Sequence, residues 1–524
     1  MRIGIDVGGT NTDAVLQQGR QVLGAVKTPT TEDVTSGIVT AISRLRSQHP
    51  FAPAEVDAVM IGTTHFINAL VQARGLTPTA ALRLGLPSGA SMPPLMTWPE
   101  RMKEAISGRS YLAHGGHEFD GRHIAELDEA ELRRAAEDMG QAGVRSLAIS
   151  SVFSPVNAEF EIRAEEIVAA VLPDVSISLS HEIGRIGLLE RENATIINAA
   201  LRELAARIVD GLVAAIAGTG ITAPLYLSQN DGTLMDVEQV RRYPVATFSS
   251  GPTNSMRGAA LLSGLDTCAV VDVGGTTSDI GVLRNGFPRE ATSDVEVAGI
   301  RTNFRMPDVL SLGIGGGSVV HQEDFGIGPE SVGYHLGTRA LVFGGDTLTA
   351  TDVAVAAGLV EIGDAARVSH LSPEFVSTCL EHIAERTSAA IDQMRVSAEP
   401  LPVVAVGGGS ILLPDRLPGI GPVTRPGNHA VANAVGAAIA QIGGEVDRVY
   451  AIEHDGRSAA LEEAKREAVE RAIAAGARPS SVTIIDFDEV PLPYLPGNAT
   501  RIRVKAVGDL RVDDDRALVS VSEA

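Results

Sequence analysis

The sequence predicts an α/β protein with two related lobes that face each other across a cleft, followed by a small C-terminal α+β region. The main observation is a repeat: Asp-Val-Gly-Gly-Thr-Asn-Thr-Asp at residues 6–13 and Asp-Val-Gly-Gly-Thr-Thr-Ser-Asp at residues 272–279. Each copy lies between two short apolar runs, which predicts two strands joined by a tight hairpin. A composition with 44% hydrophobic residues, only 4% aromatic residues and 55 glycines is typical of helices and sheets packed through small aliphatic side chains.

The other elements are predicted from the order of apolar runs along the chain. In the first lobe we expect a helix near 33–48, a strand at 58–61, a strand at 146–153 and a helix at 157–171, and a long helix near 190–217 follows. In the second lobe we expect a strand at 225–228, glycine runs at 312–318 and 405–410, and a small-residue helix at 430–442 that packs very closely. A charged helix at 459–475 and strands at 481–485 and 501–507 form the C-terminal region, and an acidic run at 513–515 is interpreted as a solvated turn.

A chain of 524 residues is longer than one hydrophobic core usually supports. We therefore predict three domains: a first lobe at 1–180, a second lobe at 181–445 and the small region at 446–524. The boundaries follow changes in composition and the position of the repeated hairpin.

Charge and cysteine content limit the classes of partner and the compartment. The chain has 43 Lys and Arg against 65 Asp and Glu, a net charge of -22, which disfavours nucleic acid and anionic membranes as partners. Cys268 and Cys379 are too few for a disulfide framework or a thiolate metal site, and the N-terminus does not resemble a secretory signal. No apolar run reaches the roughly 18 residues that a membrane span needs. We expect a cytoplasmic protein.

The repeated hairpins have the chemistry of an anion site. Adjacent glycines let backbone N–H groups approach an anion closely, Thr and Ser hydroxyls add donors, and a leading Asp can hold a divalent cation through water. A single copy is more often a plain turn, but two copies that keep the same acids and hydroxyls indicate two loops that hold a nucleotide's phosphates from both sides. The candidate phosphate-binding residues are Gly8, Gly9, Thr10, Asn11, Thr12, Gly274, Gly275, Thr276, Thr277 and Ser278.

Two later glycine runs are candidates for contact with a nucleoside. A strand that ends in bare backbone leaves room for a flat base or a ribose. These candidates are Gly315, Gly316, Gly317, Gly407, Gly408 and Gly409.

The two hairpins and the later glycine run, in this order, resemble the phosphate and adenosine motifs of the superfamily of actin, sugar kinases and heat-shock chaperone ATPases. Within it, the chain resembles the ATP-dependent hydantoinase and oxoprolinase family, specifically its hydantoinase A type subunit. The blocks that carry this resemblance lie at 8–13, 62–64, 68–70, 180–183, 190–192, 249–252, 272–279, 315–318 and 407–409. The resemblance implies duplicated actin-like ATPase (ribonuclease H-like) lobes.

The same resemblance implies an activity. Family members use ATP to phosphorylate the ring carbonyl oxygen of a cyclic amide such as a hydantoin or 5-oxoproline, which lets water open the ring. On this basis Asp6 and Asp272 would organise Mg²⁺, and Asp13 or Asp279 would orient the nucleophile. A hydantoinase B type subunit is the implied partner, within a homo- or hetero-oligomer.

Two other functions fit the same fold. A small-molecule kinase would transfer phosphate to a hydroxyl, and a nucleotide-gated regulatory protein would change its assembly without turnover. Several blocks depart from the family pattern, among them His65-Phe66-Ile67 and Asn230-Asp231-Gly232. These departures bear on the identity of the substrate more than on nucleotide binding.

A histidine-rich segment offers a separate hypothesis. His114, His117, Asp120 and His123 recur every three residues, and imidazole and carboxylate ligands suit Zn²⁺ or Mn²⁺. Glycines in the segment predict a loop, so the alternative is a solvent-exposed polar turn.

Overall fold

The structure is a computed structural model that describes residues 1–31, 34–291, 295–304, 306–323, 325–397, 399–450, 456–492 and 499–511. The acidic run at 513–515 lies outside these residues. The described helices are Val34–Gln48, His65–Gln72, Glu100–Ala105, Glu129–Gln141, Glu159–Val171, Leu188–Gly218, Val237–Arg242, Ser250–Ser263, Leu336–Arg339, Ala350–Ala356, Pro373–Met394, Ala432–Ile439 and Arg457–Ala474. None of these helices combines the length and the apolar character needed to cross a membrane.

The first sheet contains the N-terminal hairpin. In spatial order its nine strands among the described residues are Thr483–Pro491, Thr500–Gly508, Gln441–Tyr450, Thr233–Asp236, Leu225–Ser228, Ala58–Thr63, Arg2–Val7, Asn11–Gln18 and Gln21–Pro29. Apolar residues of the central strands, such as Ile3, Ile5 and Ile61, are fully buried against the surrounding helices. Burial on both faces explains why these strands are almost continuously apolar in sequence.

The second sheet is built around the second hairpin. Its strands in order are Phe287–Pro288, Ser278–Arg284, Cys268–Val273, Val403–Val406, Gly421–Thr424 and Arg416–Leu417, and Val309–Leu312 also pairs with Ser278–Arg284. In both sheets the first hairpin strand is antiparallel to the second and parallel to a strand from later in the chain, Ala58–Thr63 or Val403–Val406. The duplicated sequence therefore gives a duplicated local topology.

A third, four-stranded sheet is parallel throughout and has the order Arg109–His114, Thr79–Leu86, Ser146–Ser151 and Ser176–Leu179. Helices Glu129–Gln141 and Glu159–Val171 contribute to its core through Leu132, Phe160 and Ala164. Two short hairpins, Val295–Val297 with Ile300–Thr302 and Ser318–Val320 with Ile327–Ser331, complete the described strands.

The sheets do not follow the predicted domain boundaries. Strands Leu225–Ser228 and Thr233–Asp236 from the predicted second lobe, and the C-terminal strands, all belong to the first sheet. Strand Gln441–Tyr450 pairs with Thr233–Asp236 and so satisfies backbone groups that would otherwise form an open edge. The domain boundaries at 180 and 445 remain a prediction. The two C-terminal strands extend the first sheet.

Candidate active site

The two repeated hairpins have the same backbone register. Asp6 is paired with Asp13 next to the loop of the first hairpin, and Asp272 is paired with Asp279 next to the loop of the second. Each loop closes through one backbone bond, from Gly8 N to Asn11 O at 3.0 Å and from Gly274 N to Thr277 O at 2.8 Å. Matching residues of the repeat therefore occupy equivalent positions.

Both loops line one cleft with a volume of about 230 Å³. They approach each other closely, since a Cβ built on Gly275 would lie 2.7 Å from Thr10 Oγ1. The predicted residues that line the cleft are Asp6, Gly8, Gly9, Thr10, Asn11, Asp13, Asp272, Gly274, Gly275, Thr276, Thr277, Asp279, Gly407 and Gly408.

Asp6 and Asp272 both line the cleft; Asp6 is buried and Asp272 is half-buried. Asn433 Nδ2 donates to Asp6 Oδ2 at 2.9 Å, and Ser255 Oγ donates to Asp272 Oδ2 at 2.5 Å. Burial and the charges of Asp13 and Asp272 raise the pKa of Asp6 to about 7, and burial raises the pKa of Asp272 to about 6. Asp6 Oδ1 is buried with no hydrogen-bond partner among the described residues. Crowded carboxylates with a spare buried oxygen are suited to a divalent cation.

The second acids of the two hairpins have different partners. Lys27 Nζ lies 2.7 Å from Asp13, whereas Asp279 accepts a hydrogen bond from Ser311 Oγ at 2.5 Å. Burial raises the pKa of both carboxyls, opposed by Lys27 at Asp13 and by the Ser311 hydroxyl at Asp279. Lys27 is the only basic side chain among the described residues that line the cleft. The duplicated acids are therefore not electrostatically equivalent.

Thr12 and Ser278, two of the predicted phosphate ligands, do not line the cleft. Both are buried: Thr12 Oγ1 lies 3.4 Å from Thr30 Oγ1, and Ser278 Oγ donates to the carbonyl of Ile314 at 2.6 Å. Side chains alternate between the two faces of a strand, so when the acids at 13 and 279 face the cleft, their preceding neighbours face away. These hydroxyls stabilise the hairpins internally.

Four predicted glycines also lie outside the cleft lining. Gly316 N donates to Gly274 O at 3.0 Å and Gly317 N donates to Gly275 O at 2.7 Å, so this run supports the second hairpin loop from behind. A Cβ on Gly315 would lie 2.6 Å from Thr276 N. A Cβ on Gly409 would lie 2.7 Å from the Val273 side chain. In this structure these glycines provide close backbone packing, and Gly407 and Gly408 are the members of the later runs that reach the cleft.

Sequence reasoning missed several residues of the cleft as site residues: Lys27, Thr64, Gly251, Pro252, Ser255, Ala430, Ala432 and Asn433. Ser255 and Asn433 lie on two helices, Ser250–Ser263 and Ala432–Ile439, that cross at glycines. A Cβ on Gly258 would lie 1.8 Å from Ala432 O, and one on Gly436 would lie 1.8 Å from Asn254 O. The close packing predicted for a helix at 430–442 is present over Ala432–Ile439, whereas residues 441 and 442 begin a strand. This packing brings both side chains to the acids.

The four-residue histidine-rich set does not form as predicted. His114 Nδ1 lies 3.0 Å from Glu131, and Asp120 accepts from Arg122 Nε at 2.8 Å, so both are engaged elsewhere. His117 and His123 remain together, with ring centroids 5.2 Å apart and Glu159 nearby. The spacing of three residues does not bring the four predicted side chains together, because the chain reverses at a turn that contains Gly121, between His117 and His123.

Comparisons with known proteins agree with these features. The family model described as hydantoinase/oxoprolinase N-terminal region matches residues 2–172, and the one described as hydantoinase/oxoprolinase matches residues 191–394. The caprolactamase subunit alpha of Pseudomonas jessenii is 30% identical over 390 residues, which are 69% of this chain and 55% of the relative. The acetophenone carboxylase gamma subunit of Aromatoleum aromaticum is 26% identical over 395 residues, 68% of this chain and 53% of the relative. This chain thus spans about half the length of these relatives.

Solved structures show the fold. The crystal structure of the ATP-dependent caprolactamase from Pseudomonas jessenii superposes with a TM-score of 0.79 at 20% identity, covering 98% of this chain and 88% of that chain. The nucleotide-free structure of acetone carboxylase gives a TM-score of 0.68 at 18% identity, with the same coverage. The predicted α/β fold with two repeated hairpins is confirmed. The chain belongs to the hydantoinase/oxoprolinase family.

Proposed function

We propose that this chain binds ATP with Mg²⁺ between its two hairpins and uses it to activate a small cyclic amide for ring opening. One observation carries the proposal: two glycine loops, each with a pair of acids in the same register, line a single cleft. Phosphoryl transfer depends mainly on positioning and charge neutralisation, which this arrangement of backbone N–H groups, acids and one lysine suits.

The residues of the cleft fit the two groups. Asp6, with its spare buried oxygen, and Asp272 would hold Mg²⁺ through water. A Cβ on Gly9 or Gly408 would meet nothing within 4 Å, so the backbone is open to a ligand at both positions. Loop residues of the two hairpins would bind phosphates, with Gly407 and Gly408 beside the nucleoside. ATP would supply the phosphoryl group that turns the carbonyl oxygen of an unreactive lactam into a leaving group.

The partners of the second acids favour Asp279 over Asp13 as the group that orients the nucleophile. Lys27 neutralises Asp13 and so weakens Asp13 as a base. Among the described contacts, Asp279 accepts a hydrogen bond only from the Ser311 hydroxyl. Asp279→Asn should therefore lower turnover while leaving ATP binding measurable by calorimetry. Asp13→Asn should retain more of the turnover, and the reverse order would contradict this assignment.

The relatives support a substrate with an activated carbonyl and an assembly of several subunits. Their names include a caprolactamase and two carboxylases, and each is a named subunit of a larger enzyme. A cyclic amide is the preferred class because the matching family models are those of hydantoinases and oxoprolinases. A hydantoinase B type subunit is the proposed partner. A cytoplasmic location is also part of the proposal, and the presence of only two cysteines supports it.

The experiment is phosphate release from Mg-ATP by the purified chain with 5-oxoproline, hydantoin, N-methylhydantoin and caprolactam. We expect at least one cyclic amide to stimulate release, ring-opened product to appear by mass spectrometry, and Asp272→Asn to abolish both. Asp266→Asn is the matched control, because this exposed acid precedes the same strand but lies outside the cleft.

Other outcomes favour the other functions. A phosphorylated product would favour a small-molecule kinase. A nucleotide-dependent change in oligomeric size without turnover would favour a regulatory protein. Phosphate release that no carbonyl compound stimulates would contradict the proposal.

A further inference from the structure

The side chain of His117 is buried without a polar partner. It is 0% exposed, and neither Nδ1 nor Nε2 has a hydrogen-bond partner within the described part of the chain. A neutral imidazole nitrogen is a common metal ligand. A buried imidazole with no partner is costly unless something binds it.

Two further metal-ligating side chains lie beside it. One ligand atom from each of His117, His123 and Glu159 lies within 4.8 Å of the other two. His123 Nδ1 lies 3.1 Å from Glu126 Oε1, which leaves Nε2 of His123 as its ligand atom. A carboxylate behind a metal-binding histidine fixes the tautomer and strengthens the ligand. The set thus consists of two imidazoles, one carboxylate and one supporting carboxylate.

The backbone holds the two histidines in place. His117 and His123 are opposite each other in an antiparallel bridge, and Glu118 N donates to Arg122 O at 2.7 Å to close the turn between them. The turn also needs Gly121, whose φ is +84°. His117 N donates to Val152 O at 3.1 Å, which ties this turn to the end of strand Ser146–Ser151.

Phe160 joins the turn to the helix that supplies the carboxylate. Its ring centroid lies 4.4 Å from that of His117 and 4.6 Å from that of His123. Glu159, the preceding residue, is the first residue of helix Glu159–Val171. The three ligands are therefore positioned by packed structure even though His123 and Glu159 are exposed to solvent.

We propose that His117, His123 and Glu159 bind a zinc ion. Two imidazoles and one carboxylate form a three-ligand set with an open fourth position for water, a common arrangement for Zn²⁺, and no hard all-oxygen site for Mg²⁺ exists here. The ion would fasten the turn at 117–123 to helix Glu159–Val171 beside the four-stranded sheet. This site is separate from the acidic cleft and does not depend on the proposed ATP chemistry.

The test is metal binding by the full chain without a histidine tag, after treatment with a chelator. Co²⁺, which replaces zinc and has visible d–d absorption, is titrated first, and Zn²⁺ is then titrated by calorimetry and by displacement of Co²⁺. We expect one ion per chain. His117→Phe, which keeps an aromatic ring against Phe160, should abolish binding, and Glu159→Gln should weaken it at least about tenfold.

His114→Gln is the matched control, because His114 forms a second group of possible ligands with Asp128 and Glu131, and loss of binding in this variant would place the ion there instead. It should bind one ion as the wild type does. Glu159→Gln changes an exposed side chain, so its result stands even where His117→Phe unfolds the protein. Zinc should also raise the unfolding temperature of the wild type, and at the same zinc concentration it should raise that of Glu159→Gln by less. No stoichiometric binding by the wild type, or undiminished binding by Glu159→Gln, would overturn the proposal.

Discussion

Replacing Gly436 with alanine should force apart the two helices that carry Ser255 and Asn433. A Cβ at position 436 would lie 1.8 Å from Asn254 O, and an ordinary contact begins at 3.4 Å, so the helices must separate by about 1.6 Å. The opposing atom is a backbone carbonyl inside helix Ser250–Ser263, which cannot rotate away as a side chain would. The added methyl group therefore changes the helix crossing itself.

The expected cost has two parts. Overpacking of a tight core contact lowers the free energy of unfolding by about 3 kcal/mol, the upper end of its usual range because backbone must move. Asn433 lies three residues before Gly436, and its 2.9 Å bond to Asp6 would stretch beyond hydrogen-bonding distance after such a shift. A displacement of this size near reacting groups costs on the order of 100-fold in rate, so phosphate release should fall accordingly.

Urea unfolding followed by circular dichroism and phosphate release from Mg-ATP are measured for this variant and for Gly218→Ala. Gly218 ends a helix and a Cβ there would meet nothing within 4 Å, so that variant should match or slightly exceed the wild type in stability. If Gly436→Ala unfolds at the same urea concentration and releases phosphate at the same rate as Gly218→Ala, the crossing does not position Asn433 and the reasoning fails.

Three further predictions concern charged side chains. Glu192→Gln should lower the free energy of unfolding by about 3 to 5 kcal/mol in urea titrations. Arg83 Nε lies 2.7 Å from Glu192 Oε2, so the variant would leave the buried charge of Arg83 without its counterion. The double variant Arg83→Met, Glu192→Leu should recover most of the loss. Burial lowers the pKa of His181, but the bond to Glu161 outweighs burial, so the pKa is raised overall. The stability from this pair is therefore complete below the ordinary histidine pKa of 6.5 and is lost as pH rises through the folded-state pKa. The corresponding decline in unfolding free energy above about pH 6.5 should disappear in His181→Gln. Lys27→Met should raise the KM for ATP about tenfold, because it removes the only basic side chain among the described residues of the cleft. An unchanged KM would exclude a contact between Lys27 and the phosphates of ATP.

The hairpins could be predicted from sequence because their signals are local. Two adjacent glycines between apolar runs specify the turn, and the period of two in a strand then fixes which acids share a face. The same period also shows why the prediction for Thr12 and Ser278 was incomplete, since each precedes a cleft-facing acid and must face the other way. Applying the alternation to both strands of each hairpin would have removed these two hydroxyls from the candidate site.

The partners of the acids could not be predicted in this way, because they lie on strands and helices outside the hairpins. Lys27 reaches Asp13 only through the register of strands Asn11–Gln18 and Gln21–Pro29. Asn433 reaches Asp6 only because Gly258 and Gly436 let two helices cross at backbone distance. The run of small residues at 430–442 indicated close packing, but nothing in it identified the helix on the other side.

The duplicated hairpins thus have one backbone design and two different electrostatic environments. In the first hairpin Asp13 has an amine partner and Asp6 an amide donor, whereas in the second both Asp272 and Asp279 have serine hydroxyl partners. The positive charge of Lys27 lowers the basicity of Asp13. The serine hydroxyls beside Asp272 and Asp279 carry no charge, so they neutralise these carboxylates less. Repeated motifs therefore need not share a role, and the difference originates in residues outside the repeat.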